Sequence, residues 1–220
     1  MSAVGLGSAA LHTSLAARDQ AGDELPMLWF NAALALCFAR ELEGDAPRAP
    51  AAGLALAYCV AVTAVYARTR ENFAVFVANY ASLVAVITAC AARLALRPSS
   101  RGGARGGARD DARDDARVGC VKPLFLSAVV CYYVFAIGWA TEMMYCARAT
   151  AAAPGAARVV WHRLLHPGWH VGAGLGAYLT IQVAVAHRGA RLGRAPALRW
   201  AGLPFVEFER GPPSAHAKAS

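Results

Sequence analysis

Charged residues are scarce in this chain. Only 16% of its 220 residues are charged, whereas 57% are hydrophobic. Soluble domains average about 25% charged residues, so the composition favours a membrane protein over a soluble one. The sequence also lacks a charged leader followed by a small-residue cleavage site before its first apolar run. We therefore predict no secretory signal peptide.

Cysteine pairs with metal-binding spacing are also missing. The six cysteines lie singly, and no CxxC pattern occurs. They therefore predict small apolar core residues rather than a disulfide framework or a thiolate metal site. These residues are Cys37, Cys59, Cys90, Cys120, Cys131 and Cys146.

Long apolar runs are present instead. The run at residues 73–97 lacks charge over about 20 positions, which is the length that a helix needs to cross a bilayer. Residues 123–146 and 168–186 are similar, and residues 51–66 and 25–39 are shorter and weaker. We predict an all-α, polytopic transmembrane helix bundle with about five complete spans, preceded by an N-terminal helix stub.

The net charge of +8 raises the question of a nucleic-acid partner. Residues 97–119 begin like an arginine-glycine RNA-binding tail, but aspartates balance their second half. We therefore predict a flexible, solvated loop and no nucleic-acid partner. This loop would interrupt a single membrane domain at residues 1–210, with a polar tail at residues 211–220.

Arginine positions predict how the chain is oriented. Residues 97–119 and the segment after residue 186 are rich in arginine, and positively charged loops stay on the cytosolic side. The C-terminus is therefore expected in the cytosol. Residues 13–24, 67–72 and 147–165 would face the other side, a lumen.

Two histidines at the head of the last apolar run could bind a metal ion. His166 and His170 are four residues apart, so a helix places both on one face. A pair of His162 and His166 has the same spacing and stays open. We prefer His166 and His170 because His170 lies inside the apolar run, where an unpaired imidazole is costly. A surface pair at the start of a helix is the simpler alternative.

A catalytic zinc ion usually has three protein ligands and one open position. Of the remaining histidines, His12 is the best third candidate, because it lies beside an apolar stretch on the same predicted side. Asp23 or Glu24 could accept a proton from an attacking water, although capping of a helix N-terminus explains these acids equally well. Ser8, one helical turn before His12, could donate to an oxyanion.

Two features of the later spans are ambiguous. Glu142 near the end of the run at 123–146 either snorkels to the surface or is functional. Gly172, Gly174 and Gly176 are expected to let neighbouring helices approach closely.

Four stretches of the sequence carry a family resemblance: "VGLGSAALHTSL", "DELPML", "WATEMMYC" and "HPGWHVGAGLGAYL". Taken together, they resemble the alkaline ceramidase family of seven-span membrane hydrolases, and they occur in the family's order between residue 4 and about residue 208. The resemblance implies hydrolysis of the ceramide amide bond with zinc as cofactor, in the membrane of the endoplasmic reticulum or Golgi. Matching positions would make His12, His166 and His170 the zinc ligands, with Ser8 and Asp23 as catalytic residues.

The chain also departs from the family pattern. It begins where the family's second helix ends, so we expect a truncated N-terminus, helices two to seven of the seven-span fold, and no calcium site. If Met1 is the true start, His12 would be poorly held. Glu142 stands where an aspartate is more usual, and Gly168 after Pro167 predicts a kinked or late start of the last helix.

Three alternative functions remain at this point. One is a zinc-containing lipid or hormone receptor of the same superfamily, and another is a lipid-remodelling hydrolase of that superfamily. The third is a plain structural membrane protein, which leaves the polar residues on one membrane side unexplained.

Overall fold

The computed structural model describes most of the chain, and nearly all of the described part is helical. The described residues are 6–10, 17–43, 49–68, 73–96, 108–152 and 165–208. The elements are α1 (Ala17–Glu43), α2 (Ala49–Arg68), α3 (Phe73–Ala95), α4 (Ala108–Ala152), α5 (His166–Arg191), β1 (Pro196–Ala201) and β2 (Leu203–Phe208). Residues 6–10 are also helical. The predicted all-α bundle is confirmed.

Four of the long helices can cross a membrane by length and composition. Their apolar segments are Gln20–Glu43, Pro50–Arg68, Ala74–Ala95 and Asp114–Glu142. The fifth predicted span falls in α5, which has 26 residues and is long enough, but it is less apolar because His170 and Gln182 interrupt it. Large apolar side chains such as Leu54 and Ile137 are exposed on the spans, as faces in contact with lipid would be. The chain is a multi-pass membrane protein.

The predicted flexible loop is wrong in its second half. Helix α4 begins at Ala108, so residues 108–119 are helical, and residues 97–107 lie outside the described residues. The repeat "ARDDARDDAR" brings arginine and aspartate to helical spacing. Arg117 Nε donates to Asp114 Oδ1 at 2.8 Å, and Arg117 Nη1 donates to the carbonyl of Leu94 at 3.3 Å. These bonds favour helix over a disordered loop.

The chain divides into two compact units, residues 1–93 and 94–220. In the first unit, polar bonds join the apolar helices. Trp29 of α1 donates from Nε1 to Thr63 Oγ1 of α2 at 3.1 Å. Tyr58 of α2 donates to Asn79 Oδ1 of α3, also at 3.1 Å. Such bonds satisfy polar groups that lipid cannot satisfy.

In the second unit, α4 and α5 pack antiparallel through two of the three glycines predicted for close packing. A Cβ at Gly172 would overlap the ring of Phe135, and one at Gly176 would lie 2.9 Å from the Cβ of Tyr132. Nothing lies within 4 Å of a Cβ built at Gly174. The close approach is therefore confirmed at Gly172 and Gly176 but not at Gly174.

A β-hairpin follows α5 and was not predicted. The helix ends in a Schellman motif, in which Gly193 has φ of 80° and Arg194 N donates to the carbonyl of Gly189 at 2.9 Å. Strands β1 and β2 then pair antiparallel around Gly202, whose φ of 77° suits the tight turn. This hairpin is the single addition to the helical architecture in the described part of the chain.

Candidate metal and hydrolase site

Two acids lie buried in α1 of the first unit. Asp23 is 5% exposed and Glu24 is 4% exposed. Helix α1 begins at Ala17, well before these residues, and Pro26 lies inside the helix rather than in its first turn. Capping of the helix N-terminus therefore does not explain the acids, and that alternative is wrong.

Hydrogen bonds from two directions hold Glu24. Tyr66 of α2 donates from its hydroxyl to Oε2 at 2.6 Å, and Gln20, one turn earlier on α1, donates from Nε2 to Oε1 at 2.8 Å. Buried carboxylates are costly unless such donors satisfy them. We call Gln20, Asp23, Glu24 and Tyr66 the acidic cluster.

Ser8 lies close to this cluster. A Cβ at Gly7 would overlap the carbonyl of Gly22, so the backbones of the two segments touch. A Cβ at Gly7 would also lie 3.0 Å from the backbone N of Asp23, so the residue before Ser8 contacts the backbone at Asp23. His12 lies outside the described residues, and its position stays a prediction.

The two histidines of the second unit lie on the first turns of α5. The rings of His166 and His170 have centroids 5.0 Å apart and an interplanar angle of 65°. Two imidazoles that each bind a tetrahedral zinc ion through one nitrogen have ring centres roughly 5 Å apart. The observed separation matches this value, and it is equally that of an ordinary edge-to-face contact between two rings. His162, the competing partner of His166, lies outside the described residues.

Glu142 of α4 faces this pair. Its Oε2 lies 3.6 Å from Nδ1 of His166, with the Glu142 side chain 8% exposed and the His166 side chain 30% exposed. A glutamate that snorkelled would reach water, so the snorkelling alternative is wrong. A carboxylate beside Nδ1 leaves Nε2 of the same ring for a metal ion. We call His166, His170 and Glu142 the histidine cluster.

Aromatic residues that we did not predict as site residues hold the N-terminal end of α5. Trp169, which lies between the two histidines in sequence, is buried. Its ring stacks on that of Trp139, with ring centroids 5.3 Å apart. Tyr132 meets the same ring edge-on at 5.4 Å. Both partners belong to α4, so these contacts hold the first turns of α5 against α4. The sequence contained a signal for these contacts, because Trp169 directly precedes His170 and Trp139 lies three residues before Glu142.

In the described part of the chain, no group of three or more His, Cys, Asp or Glu residues is placed to hold a metal ion. Within that part, the structure brings His166 close to both His170 and Glu142, and it brings Gly7, the residue before Ser8, against the backbone of Gly22 and Asp23. None of the five described cysteines forms a disulfide, in agreement with their predicted role as apolar residues, although Cys37 is exposed.

Comparison with protein families identifies the family of the chain. A family model described as Ceramidase matches residues 1–206, which is most of the chain. No curated protein and no solved structure matches the chain. The matched range contains both the acidic cluster and the histidine cluster. The chain therefore belongs to the ceramidase family of membrane hydrolases, which act on the amide bond of ceramide.

Proposed function

We propose that this protein is a zinc-dependent ceramidase that hydrolyses ceramide to a sphingoid base and a fatty acid. The ion would be held by His12, His166 and His170. The observation that carries the proposal is the 5.0 Å separation of the two rings on α5, with a buried glutamate beside one of them. When bound, zinc would act as a Lewis acid that polarises the amide carbonyl, and it would lower the pKa of a bound water to about 7.

Asp23 is the proposed general acid and base. Its carboxylate accepts a proton from the water that attacks the carbonyl carbon. The carbon–nitrogen bond then breaks, and Asp23 returns the proton to the nitrogen of the leaving sphingoid base. Its position supports this role, because it is buried on a helix whose next residue, Glu24, is held by two hydrogen bonds.

Ser8 and Glu142 have supporting roles in the proposal. The Ser8 hydroxyl donates to the oxygen that becomes negative when the carbonyl is attacked. Glu142 positions the His166 ring through Nδ1, at the observed 3.6 Å. The contact of Gly7 with Gly22 supports the pairing of Ser8 with Asp23, because it brings the residue before Ser8 against the backbone of Asp23.

The substrate and the location follow from the membrane character of the chain. Ceramide has two long apolar tails and stays in the bilayer, so we expect it to reach the site from lipid, along the apolar helices. We place the protein in the endoplasmic reticulum or Golgi with its C-terminus in the cytosol. The exposed arginines at the end of α5, Arg188 and Arg191, support this orientation.

The decisive variant is His170→Ala in the purified full chain. We expect it to lose bound zinc, measured by elemental analysis, and to lose ceramide turnover, measured as fatty acid released. His216→Ala, a histidine in the polar C-terminal segment, is the matched control and should keep both. A His170→Ala protein with normal turnover would overturn the assignment.

A further inference from the structure

The hairpin after α5 has one entirely apolar face. Side chains alternate along a strand, and residues directly opposite each other on paired strands share a face. The register pairs Pro196 with Phe208, Leu198 with Val206 and Trp200 with Pro204. All six of these residues are apolar. The opposite face carries the two charges of the hairpin, and these neutralise each other, because Arg199 Nε lies 3.1 Å from Glu207 Oε2.

The base of the hairpin is packed against helices of its own unit. The ring of Phe208 lies so close to Gly189 of α5 that a Cβ there would overlap it. Cys120 of α4 donates from Sγ to the carbonyl of Pro196 at 3.3 Å. Cys120 lies a short distance inside the span Asp114–Glu142. The base of the hairpin is therefore near the membrane boundary.

The strands run back along α5 rather than out into water. Phe208 contacts Gly189, whereas Val206, two residues nearer the tip, donates from its backbone N to Oε1 of Gln182 at 2.9 Å. Gln182 lies two helical turns before Gly189, toward the apolar middle of α5. The hairpin therefore points from the end of α5 back toward the membrane, with its tip on the membrane side of its base.

Exposure rises toward that tip. On the apolar face, Pro196 is buried and Leu198 is half-buried, but Trp200 is 73% exposed. Leu203, beside the turn on the opposite face, is 47% exposed. The apolar face that covers the helices thus continues past them at Trp200. Tryptophan is enriched where a membrane protein meets the headgroup region. An open sheet edge cannot lie in hydrocarbon, because its backbone groups need water, so the tip belongs at the interface rather than in the core.

Basic residues surround the hairpin. Residues 188–208 contain four arginines and one acid, Glu207. Arg188, Arg191 and Arg194 are exposed at the end of α5 and in the turn that follows it. Positive charge at the base of the hairpin complements the phosphates of an anionic leaflet.

We propose that this hairpin is a membrane-contact element, whose tip residues Trp200 and Leu203 insert into the headgroup region of the leaflet around the C-terminal end of α5. The arginines beside it contact lipid phosphates. The occupant of the exposed apolar tip is phospholipid, since the face is continuous with the membrane-spanning helices. The inference needs neither bound zinc nor activity, so its test is independent of the proposed function.

The test is tryptophan quenching in the full chain reconstituted into vesicles of phosphatidylcholine and phosphatidylglycerol. The emission of the wild type minus that of Trp200→Phe isolates the Trp200 signal from the other four tryptophans. Phosphatidylcholine brominated near the headgroup end of its chains should remove about half of this signal, and more than lipid brominated near the chain ends does. Aqueous iodide should quench it weakly.

A second variant perturbs the tip while it keeps Trp200 in place. Leu203→Asp should lower quenching of Trp200 by brominated lipid roughly twofold, because a charge at the tip opposes insertion. Leu203→Ile is the control and should leave it unchanged. Omission of phosphatidylglycerol should also weaken quenching, through loss of the arginine contacts. If iodide quenches the Trp200 signal and neither brominated lipid does, Trp200 faces water and the proposal is wrong. If neither iodide nor brominated lipid quenches the signal, protein covers Trp200, and this result would also overturn the proposal.

Discussion

The acidic cluster and the histidine cluster differ in how their side chains are held. Asp23 and Glu24 are almost fully buried, and Glu24 has donors from its own helix and from α2. His166 and His170 are half-buried, and their helix spacing and the contact with Glu142 set their positions. The acids are therefore enclosed by the protein, whereas both histidines remain partly exposed.

This difference suggests separate tasks for the two regions. A buried acid such as Asp23, beside the well-held Glu24, suits proton transfer, which depends on position and environment. Half-exposed imidazoles with a carboxylate behind them suit metal binding. If this division is right, changes in the acidic cluster should affect turnover without loss of zinc, and changes in the histidine cluster should affect zinc itself.

Asp23→Asn gives the largest separation between the two regions. We expect turnover to fall by about 10²–10⁴-fold, because the amide keeps the shape but cannot accept the proton. Bound zinc, measured by elemental analysis, should stay at the wild-type level. Glu41→Gln, farther along α1, is the control and should change neither. Loss of zinc in Asp23→Asn would show that Asp23 supports the metal rather than the proton transfer.

Glu142→Gln tests the histidine cluster. We expect zinc affinity to weaken by about 10–100-fold, because His166 loses the carboxylate that orients its ring. The measurement is competition with a zinc chelator of known affinity. Glu142→Asp, which keeps the charge, should retain more affinity than Glu142→Gln. Equal zinc affinity in wild type and Glu142→Gln would remove Glu142 from the site.

Gly172→Ala tests how the histidine helix is placed. The new methyl group would overlap Phe135 of α4, so we expect a loss of about 1–3 kcal/mol in the free energy of unfolding. Gly174→Ala is the matched control on the same helix and should be neutral or stabilising by up to about 1 kcal/mol, because alanine favours helix. Unfolding in detergent, followed by circular dichroism, gives both values. The same loss in both variants would contradict the observed packing of α4 and α5.

Tyr66→Phe has the smallest expected effect. It removes the hydrogen bond to Glu24, and a bond between membrane helices contributes on average about 0.6 kcal/mol and at most about 1.7 kcal/mol. Tyr58→Phe removes a longer, half-buried bond to Asn79 and should cost less. The same unfolding assay applies. A larger loss in Tyr58→Phe than in Tyr66→Phe would mean that Glu24 is not held as described.

The sequence predicted those features that repeat at short range. Apolar runs predict membrane helices because burial in lipid depends on composition and length. The spacing of His166 and His170 predicts one helix face because helical geometry fixes that relation. The four-residue repeat of arginine and aspartate before residue 118 has helical spacing in the same way, and it predicts the start of α4. The loop prediction was wrong there because it was based on composition rather than on this spacing.

Features that depend on distant contacts could not be predicted in this way. The burial of Glu24 depends on Tyr66, which lies 42 residues later and on another helix. The hairpin is held by Gly189 and Gln182 of α5 and by Cys120 of α4. Short strands have weak local preferences, so such contacts decide whether they form.

X-ray absorption at the zinc edge of the purified full chain tests the central claim most directly. We expect one zinc ion with three imidazole nitrogens at about 2.0–2.1 Å, and only two imidazole nitrogens around any zinc that the His170→Ala variant retains. Sulfur ligands at about 2.3 Å, or a purified and active protein that contains no zinc, would contradict it.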